Sequence, residues 1–191
     1  MRLKREESLL LVVDLQAGLL PVIEHADQAV SEAAWLGGLA ASLEVPVWIT
    51  EQYPEGLGGS ETRLLEALPG HRLWQKLTFD ACANPEFIAA LEQSGRRQVV
   101  LCGSEAHICV MQTGLGLLAA GYEVYWLSEA CVSRRAAEAR LARERLVQAG
   151  AVAVSADMVA YEWLHRCDDD RFKQAHRRFL KGRSARPLVF D

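Results

Sequence analysis

Cys109 follows an apolar run, Val99-Val100-Leu101-Cys102, after the short turn Gly103-Ser104-Glu105-Ala106-His107-Ile108, and opens a predicted helix. A thiol at a helix N-terminus feels the positive end of the dipole, which favours thiolate and therefore nucleophilicity. Two further apolar runs stop at groups of complementary chemistry. Leu9-Leu10-Leu11-Val12-Val13 ends in the carboxylate of Asp14, and Leu73-Trp74-Gln75 ends in Lys76. A thiol near its free pKa is only slightly ionised at neutral pH, so a hydrolase must activate it. A carboxylate can take the proton, and an ammonium can hold the charge that results. Attack on a carbonyl then builds an oxyanion, which needs preorganised donors worth roughly 3 kcal/mol each. Backbone amides in the turn before Cys109 are suited to that task, and Gly103 lets the chain fold tightly there. Taken singly, each residue has an ordinary alternative. Asp14 fits a helix N-cap, Lys76 a surface lysine and Cys109 a buried structural thiol.

What argues for chemistry is the placement of all three. Apolar runs predict strands over 8–13, 45–50, 72–75, 98–102, 123–127 and 151–154. Helical spacing predicts helices over 27–43, 60–67, 85–94, 107–120 and 135–149, with two closing helices over 155–165 and 169–181. Gly121 and Gly150 stand where left-handed C-caps belong. Alternating strands and helices imply right-handed βαβ units and a parallel sheet covered on both faces. The runs lack polar alternation, as strands buried on both sides should. In such a sheet, ligands bind beyond the carboxyl ends of the strands, where strand order reverses. Asp14, Lys76 and Cys109 all fall on that edge.

The 191 residues suit one domain, with no linker or internal repeat, and their 50% hydrophobic content is that of a globular protein. A net charge of −4 argues against nucleic acid as the main partner. The basic stretch 171–186, with Lys173, Arg177, Arg178, Lys181 and Arg183, reads as a solvated helix face, because no aromatic stacking platform interleaves it. Five cysteines, an odd number without a C-x-x-C spacing, indicate neither a disulfide framework nor a zinc knuckle. Reduced thiols, no signal-peptide anatomy and no apolar run long enough to span a bilayer together predict a cytoplasmic protein.

Three segments resemble the signatures of the isochorismatase-like cysteine hydrolases. They are Val13-Asp14-Leu15-Gln16, Gln75-Lys76-Leu77-Thr78-Phe79-Asp80 and Gly103-Ser104-Glu105-Ala106-His107-Ile108-Cys109-Val110-Met111-Gln112-Thr113. Further matches at Thr50-Glu51-Gln52-Tyr53-Pro54-Glu55-Gly56-Leu57-Gly58, Glu129-Ala130-Cys131-Val132-Ser133-Arg134 and Asp157-Met158-Val159-Ala160-Tyr161-Glu162-Trp163-Leu164 are similar to the branch called isochorismatase domain-containing proteins. The resemblance implies a three-layer, Rossmann-like α/β/α fold around a six-stranded parallel sheet. It implies a catalytic triad of Asp14 as general base, Lys76 as stabiliser of the thiolate and Cys109 as nucleophile. It also implies a cis peptide between Ser104 and Glu105, an oxyanion hole formed by the amides of Glu105 and Cys109, and a homo-oligomer.

Two features bear on the substrate. Relatives that hold a metal begin their ligand set with Asp-x-His after the second strand; this chain has Glu51-Gln52-Tyr53, so no metal or other cofactor is expected. Relatives that cleave vinyl ethers need no thiol, so Cys109 favours amide or imide hydrolysis through a thioester. Gln16, Tyr53, Trp74, Phe79 and His107 are candidate pocket walls, though His107 also suits capping or packing, and Trp74 and Phe79 suit the core. Two rivals remain, a thiol redox protein and a non-enzymatic interaction protein with a vestigial triad. A dinucleotide site is disfavoured, because no Gly-x-Gly-x-x-Gly follows the first strand.

Overall fold

The computed structural model describes residues 2–190. Six strands, β1 Ser8–Val13, β2 Val47–Gln52, β3 Arg72–Lys76, β4 Gln98–Gly103, β5 Glu123–Cys131 and β6 Val152–Val154, form one sheet in the order β3-β2-β1-β4-β5-β6. All neighbouring pairs are parallel. Every residue of β1, β2 and β4 is buried, which accounts for the apolar runs within them. The edge strand β3 instead exposes Arg72, Leu73 and Gln75.

The helices are α1 Ala26–Ser42, α2 Pro54–Leu57, α3 Thr62–Ala67, α4 Pro85–Gln93, α5 Met111–Ala119, α6 Ala136–Gln148, α7 Ala156–Leu164 and α8 Asp170–Ala175. α1 packs on the central strands and against α7, while α5 and α6 pack together over β5, giving the three-layer α/β/α arrangement. The chain runs outward from β1 through β2 to β3 and returns to place β4 beside β1. Strand order therefore reverses between β1 and β4, and a crevice opens at their carboxyl ends.

The departures from the sequence pattern have local causes. β2 starts and ends two residues later than its apolar run, because Pro46 has no N–H to give the ladder. That shift carries Glu51 and Gln52 into the sheet. β5 continues to Cys131 because Val132 N donates to Gly103 O and the Glu129 carboxylate accepts from Ala156 N at 2.7 Å. The helix expected to begin at His107 opens with a π turn, Ala106–Val110, ahead of α5. The last expected helix is split into α8 and a second π turn, His176–Leu180. Gly121 and Gly150 have φ of 84° and 116°, as their capping positions require.

Arg183 departs from the solvated face assigned to the basic stretch. Its guanidinium is buried, paired with Glu32 at 2.7 Å and Asp157 at 2.6 Å, and lies 3.7 Å over the Trp35 ring. A chain segment that follows a helix can turn back on the core, and helical spacing carries no signal of that.

Gly103 is where the sheet demands a missing side chain. Its φ is 133°, and a Cβ there would stand 1.9 Å from Val13 O on the adjacent strand. Only glycine lets β4 end against β1 at the crevice. Gly103→Ala is expected to lower unfolding free energy by about 3 kcal/mol or more, read from urea denaturation. A loss below about 1 kcal/mol would show that the strand end relaxes freely.

Candidate active site

β1 delivers Asp14 at its carboxyl end in a left-handed conformation, φ 49°. The backbone is pinned on three sides. Asp14 N donates to Thr50 O at 3.1 Å, while Asp14 O accepts from Gln16 N at 2.9 Å and from Ser104 Oγ at 2.7 Å. This anchoring turns the carboxylate into the interior, where it has no solvent exposure. One oxygen accepts from Thr50 Oγ1 at 2.6 Å and the other from Lys76 Nζ at 2.7 Å.

Lys76 ends the edge strand two places from β1, so its side chain must cross over β2 to reach Asp14. Its ammonium also donates to Gln52 Oε1 at 2.7 Å and lies 3.4 Å from the carbonyls of Thr78 and Phe79. A buried ion pair persists only when its remaining protons and lone pairs are engaged, and here Gln52 and Thr50 engage them. Neither residue is apparent as a site residue from the sequence. Their signal is period-two spacing, Thr50 and Gln52 on one face of β2, hidden because the apolar run that marks β2 begins and ends two residues before the strand itself.

Cys109 lies in the π turn before α5 and is 5% exposed. Its Sγ is 4.0 Å from Gln52 Oε1, and the charges of Asp14 and Lys76 both act on the thiol. The three separated segments are therefore brought together. The dipole argument does not carry the resting ionisation, however. Burial, then the Asp14 charge, pushes the thiol up to about 12 against the opposing pull of Lys76. Cys109 thus rests protonated beside a carboxylate able to receive its proton.

The Ser104–Glu105 peptide is cis. Around it Ala106 N donates to Val132 O, His107 N to Ser133 Oγ, and Ile108 N and Val110 N to Glu105 O. The Glu105 side chain turns away into a bidentate pair with Arg134, which holds its carboxyl below the usual range. His107 Nδ1 sits 2.9 Å from Ser133 Oγ, so that histidine braces the turn.

The other candidate walls divide. Tyr53 and Phe79 are each about half exposed, and Tyr53 N donates to Lys76 O at 2.9 Å. Gln16 is not a wall: it is fully buried, donating to Gln52 O and Gly58 O and accepting from Gln52 N, which clamps the loop after β2 to the loop after β1. Trp74 is not a wall either. It shares its face of β3 with Lys76, but its ring is taken up by packing 5.4 Å from both Trp48 and Phe87. Glu51, at the position where metal-binding relatives start their ligand set, accepts from Ser60 N and Oγ at 2.7 and 2.8 Å. A cavity of about 430 Å³ opens at Lys76, lined among others by Pro54, Glu55, Leu77, Thr78 and Asn84.

A buried carboxylate, ammonium and thiol in one cluster can perform nucleophilic acyl chemistry, and known proteins share the framework. The isochorismatase domain model matches residues 8–158. The chain is 34% identical to isochorismatase domain-containing protein 2A of Mus musculus over 178 residues, 91% of this chain and 82% of that protein. Among solved structures, one described as the MAR1 ribonuclease of Caenorhabditis elegans superposes with TM-score 0.89 and 29% identity, covering 99% of both chains. The YcaC gene product of Escherichia coli, described as an octameric hydrolase of unknown specificity, superposes with TM-score 0.85 and 24% identity over 95% of this chain and 92% of that one. A matched domain that runs from β1 into α7, with that identity to a curated relative over nine-tenths of the chain, places this protein in the isochorismatase family.

Proposed function

We propose that the protein is a hydrolase in which Asp14, Lys76 and Cys109 act as a triad on an amide or imide C–N bond of a small molecule. The buried cluster in which Lys76 Nζ holds Asp14 and Gln52 at 2.7 Å each, with Cys109 Sγ 4.0 Å from the same Gln52 oxygen, is the observation that supports this reading best. As Sγ attacks the substrate carbonyl, its proton passes to Asp14, and Lys76 offsets the negative charge on the sulfur and the carboxylate in turn. The carbonyl oxygen takes the electron pair and is held by the amides of Glu105 and Cys109. Collapse breaks the C–N bond, Asp14 returns the proton to the departing nitrogen, and a thioester remains on Cys109. Water then adds to the thioester and gives a proton to Asp14; collapse breaks the C–S bond, Asp14 returns that proton to the departing sulfur, and the acid is released.

The redox alternative has less support. Cys102, the nearest thiol in sequence, is wholly buried in β4, and burial pushes its pKa up. A polynucleotide substrate is also disfavoured, because a nucleophile only 5% exposed is poorly placed to meet a phosphodiester inside a polymer. Exposed apolar side chains of Tyr53, Leu77 and Phe79 near the site, with the octamer described for the E. coli neighbour, support a homo-oligomer. No helix among the described residues is long and apolar enough to cross a membrane, and the free cysteines suit a reducing, cytoplasmic setting.

Acid quenching during turnover of small amides and cyclic imides, followed by peptide mass analysis, is expected to find the acyl group on Cys109. Chelators are expected to leave the rate unchanged. Turnover without a Cys109 adduct, or a rate lost to chelator and restored by zinc, would contradict the thioester route.

A further inference from the structure

Four residues of α1, Gln28, Glu32, Trp35 and Gly38, recur at helical spacing and so fall on one side of that helix. This stripe carries the last part of the chain, which runs antiparallel to it. Phe179 lies against Gly38, where a Cβ would stand 3.2 Å from its ring. Trp35 Nε1 donates to Phe179 O at 3.0 Å, and the Trp35 ring underlies the Arg183 guanidinium. Glu32 pairs with Arg183 through one oxygen and lies 3.3 Å from Arg186 through the other. Gln28 grips the backbone of Val189 with both ends of its amide, at 2.8 and 2.9 Å. The centre of this strap is electrostatic. Glu32 and Glu129 are both buried, and two carboxylates are tolerated together in an interior only around a cation. The planar guanidinium answers Glu32 on α1 at 2.7 Å, Glu129 on β5 at 3.5 Å and Asp157 on α7 at 2.6 Å. One side chain from the end of the sequence ties three elements together.

The strap ends beside the turn that carries Cys109. α1 follows β1, so its first turn stands at the carboxyl edge of the sheet, and there Gln28 Nε2 also donates to Glu129 O at 3.0 Å. Three residues beyond Glu129, Val132 N donates to Gly103 O at 3.0 Å and Val132 O accepts from Ala106 N at 2.8 Å. Ser133 O accepts from Glu24 N, just ahead of α1, and Ser133 Oγ accepts from His107 N at 3.3 Å. From this arrangement we infer that residues 179–189 form a strap that positions the Cys109 turn, with Arg183 as the positioning residue and Glu32, Glu129, Asp157 and Trp35 as the receptor for its guanidinium. Its bearing on catalysis rests on Cys109 being the reacting group of the hydrolase proposed above. With the guanidinium withdrawn, Glu32 and Glu129 lose the charge that holds α1 to β5. The end of β5 then loosens, and the oxygens that hold Ala106 and His107 loosen with it.

Hydrogen exchange and thiol alkylation read the turn without requiring turnover. In Arg183→Ala, held well below its melting temperature, the peptide 104–110 is expected to exchange about tenfold faster than in wild type, while β2 and β3 keep wild-type rates. Alkylation of Cys109 by neutral iodoacetamide, separated from exposed Cys167 by peptide mass analysis, is expected to quicken about fivefold as the thiol meets water. Millimolar ethylguanidinium, which fits the vacated receptor, is expected to reverse both changes. Ethylammonium has the same charge without the planar fork and is expected to reverse neither. Should Arg183→Ala not fold, Gln28→Ala decides, because it frees Val189 and the Glu129 carbonyl without stranding a buried charge. It is expected to move both readouts in the same direction by about twofold. Exchange over 104–110 unmoved while 179–189 exchanges freely would overturn the inference, as would equal rescue by the two cations. If the turn loosens as expected while no amide turns over in wild type, it is the hydrolase that fails, and the strap stands.

Discussion

Cys109→Ala is expected to lower kcat/KM on a responsive amide by ~10⁴-fold or more, while the unfolding free energy changes by about 1 kcal/mol or less. Removing the sulfur removes the atom proposed to carry the acyl group. Asp14 and Lys76 would still hold each other at 2.7 Å, so the buried ion pair is not left uncompensated. That separates this variant from most changes in the crevice. Thr50→Val or Gln52→Leu would take a hydrogen bond from a buried charge and damage fold and chemistry together. Cys109→Ser keeps the volume, but its hydroxyl is a far poorer nucleophile beside the same base, and its residual rate should stay near that of alanine. The comparison is made on steady-state kinetics and urea unfolding of the same preparations. Residual activity within tenfold of wild type in Cys109→Ala would mean that water, activated by Asp14, is the true nucleophile, and the thioester route would be abandoned.

The clustered side chains of Asp14, Lys76 and Cys109 were legible in the sequence because each follows an apolar run, and a parallel sheet gathers run ends on one edge. The same logic gave six strands and the layer arrangement. It failed for the groups that hold the cluster. Gln52 and Thr50 became visible only once β2 was displaced by the missing amide of Pro46. Gln16 looked like a wall because it follows Asp14 closely, yet its amide is consumed by two backbone oxygens across the loop. Trp74 lies two residues from Lys76 on the same face of β3, yet its ring is taken up by Trp48 and Phe87, and the exposed edge of β3 carries no apolar pattern that signals this packing. Which partner satisfies which polar atom depends on loop conformation, and that is not encoded in spacing.

Asp14→Asn is the variant in which activation and reactivity should part. The carboxylate raises the thiol's pKa and the ammonium lowers it. Deleting the first while keeping the second leaves the thiol with a lower pKa than wild type. Stoichiometric alkylation of Cys109 by neutral iodoacetamide near pH 8 should therefore quicken by about tenfold, since the thiolate fraction limits that reaction. Turnover should fall ~10³-fold in the same protein, because no group remains to take the thiol proton and return it to the leaving nitrogen. Lys76→Met supplies the opposite arm. With the carboxylate unopposed, the thiol's pKa rises further, and both alkylation and turnover slow. An uncompensated charge in this interior is costly, about 3 kcal/mol or more, so thermal unfolding must show each variant folded at the assay temperature. Slower alkylation in Asp14→Asn would mean that Asp14 orders the crevice without setting the charge on the sulfur. Retained turnover would place the proton acceptor elsewhere. Faster capture joined to lost catalysis fits neither outcome, because it requires a carboxylate that holds the nucleophile protonated at rest and accepts its proton at the moment of attack.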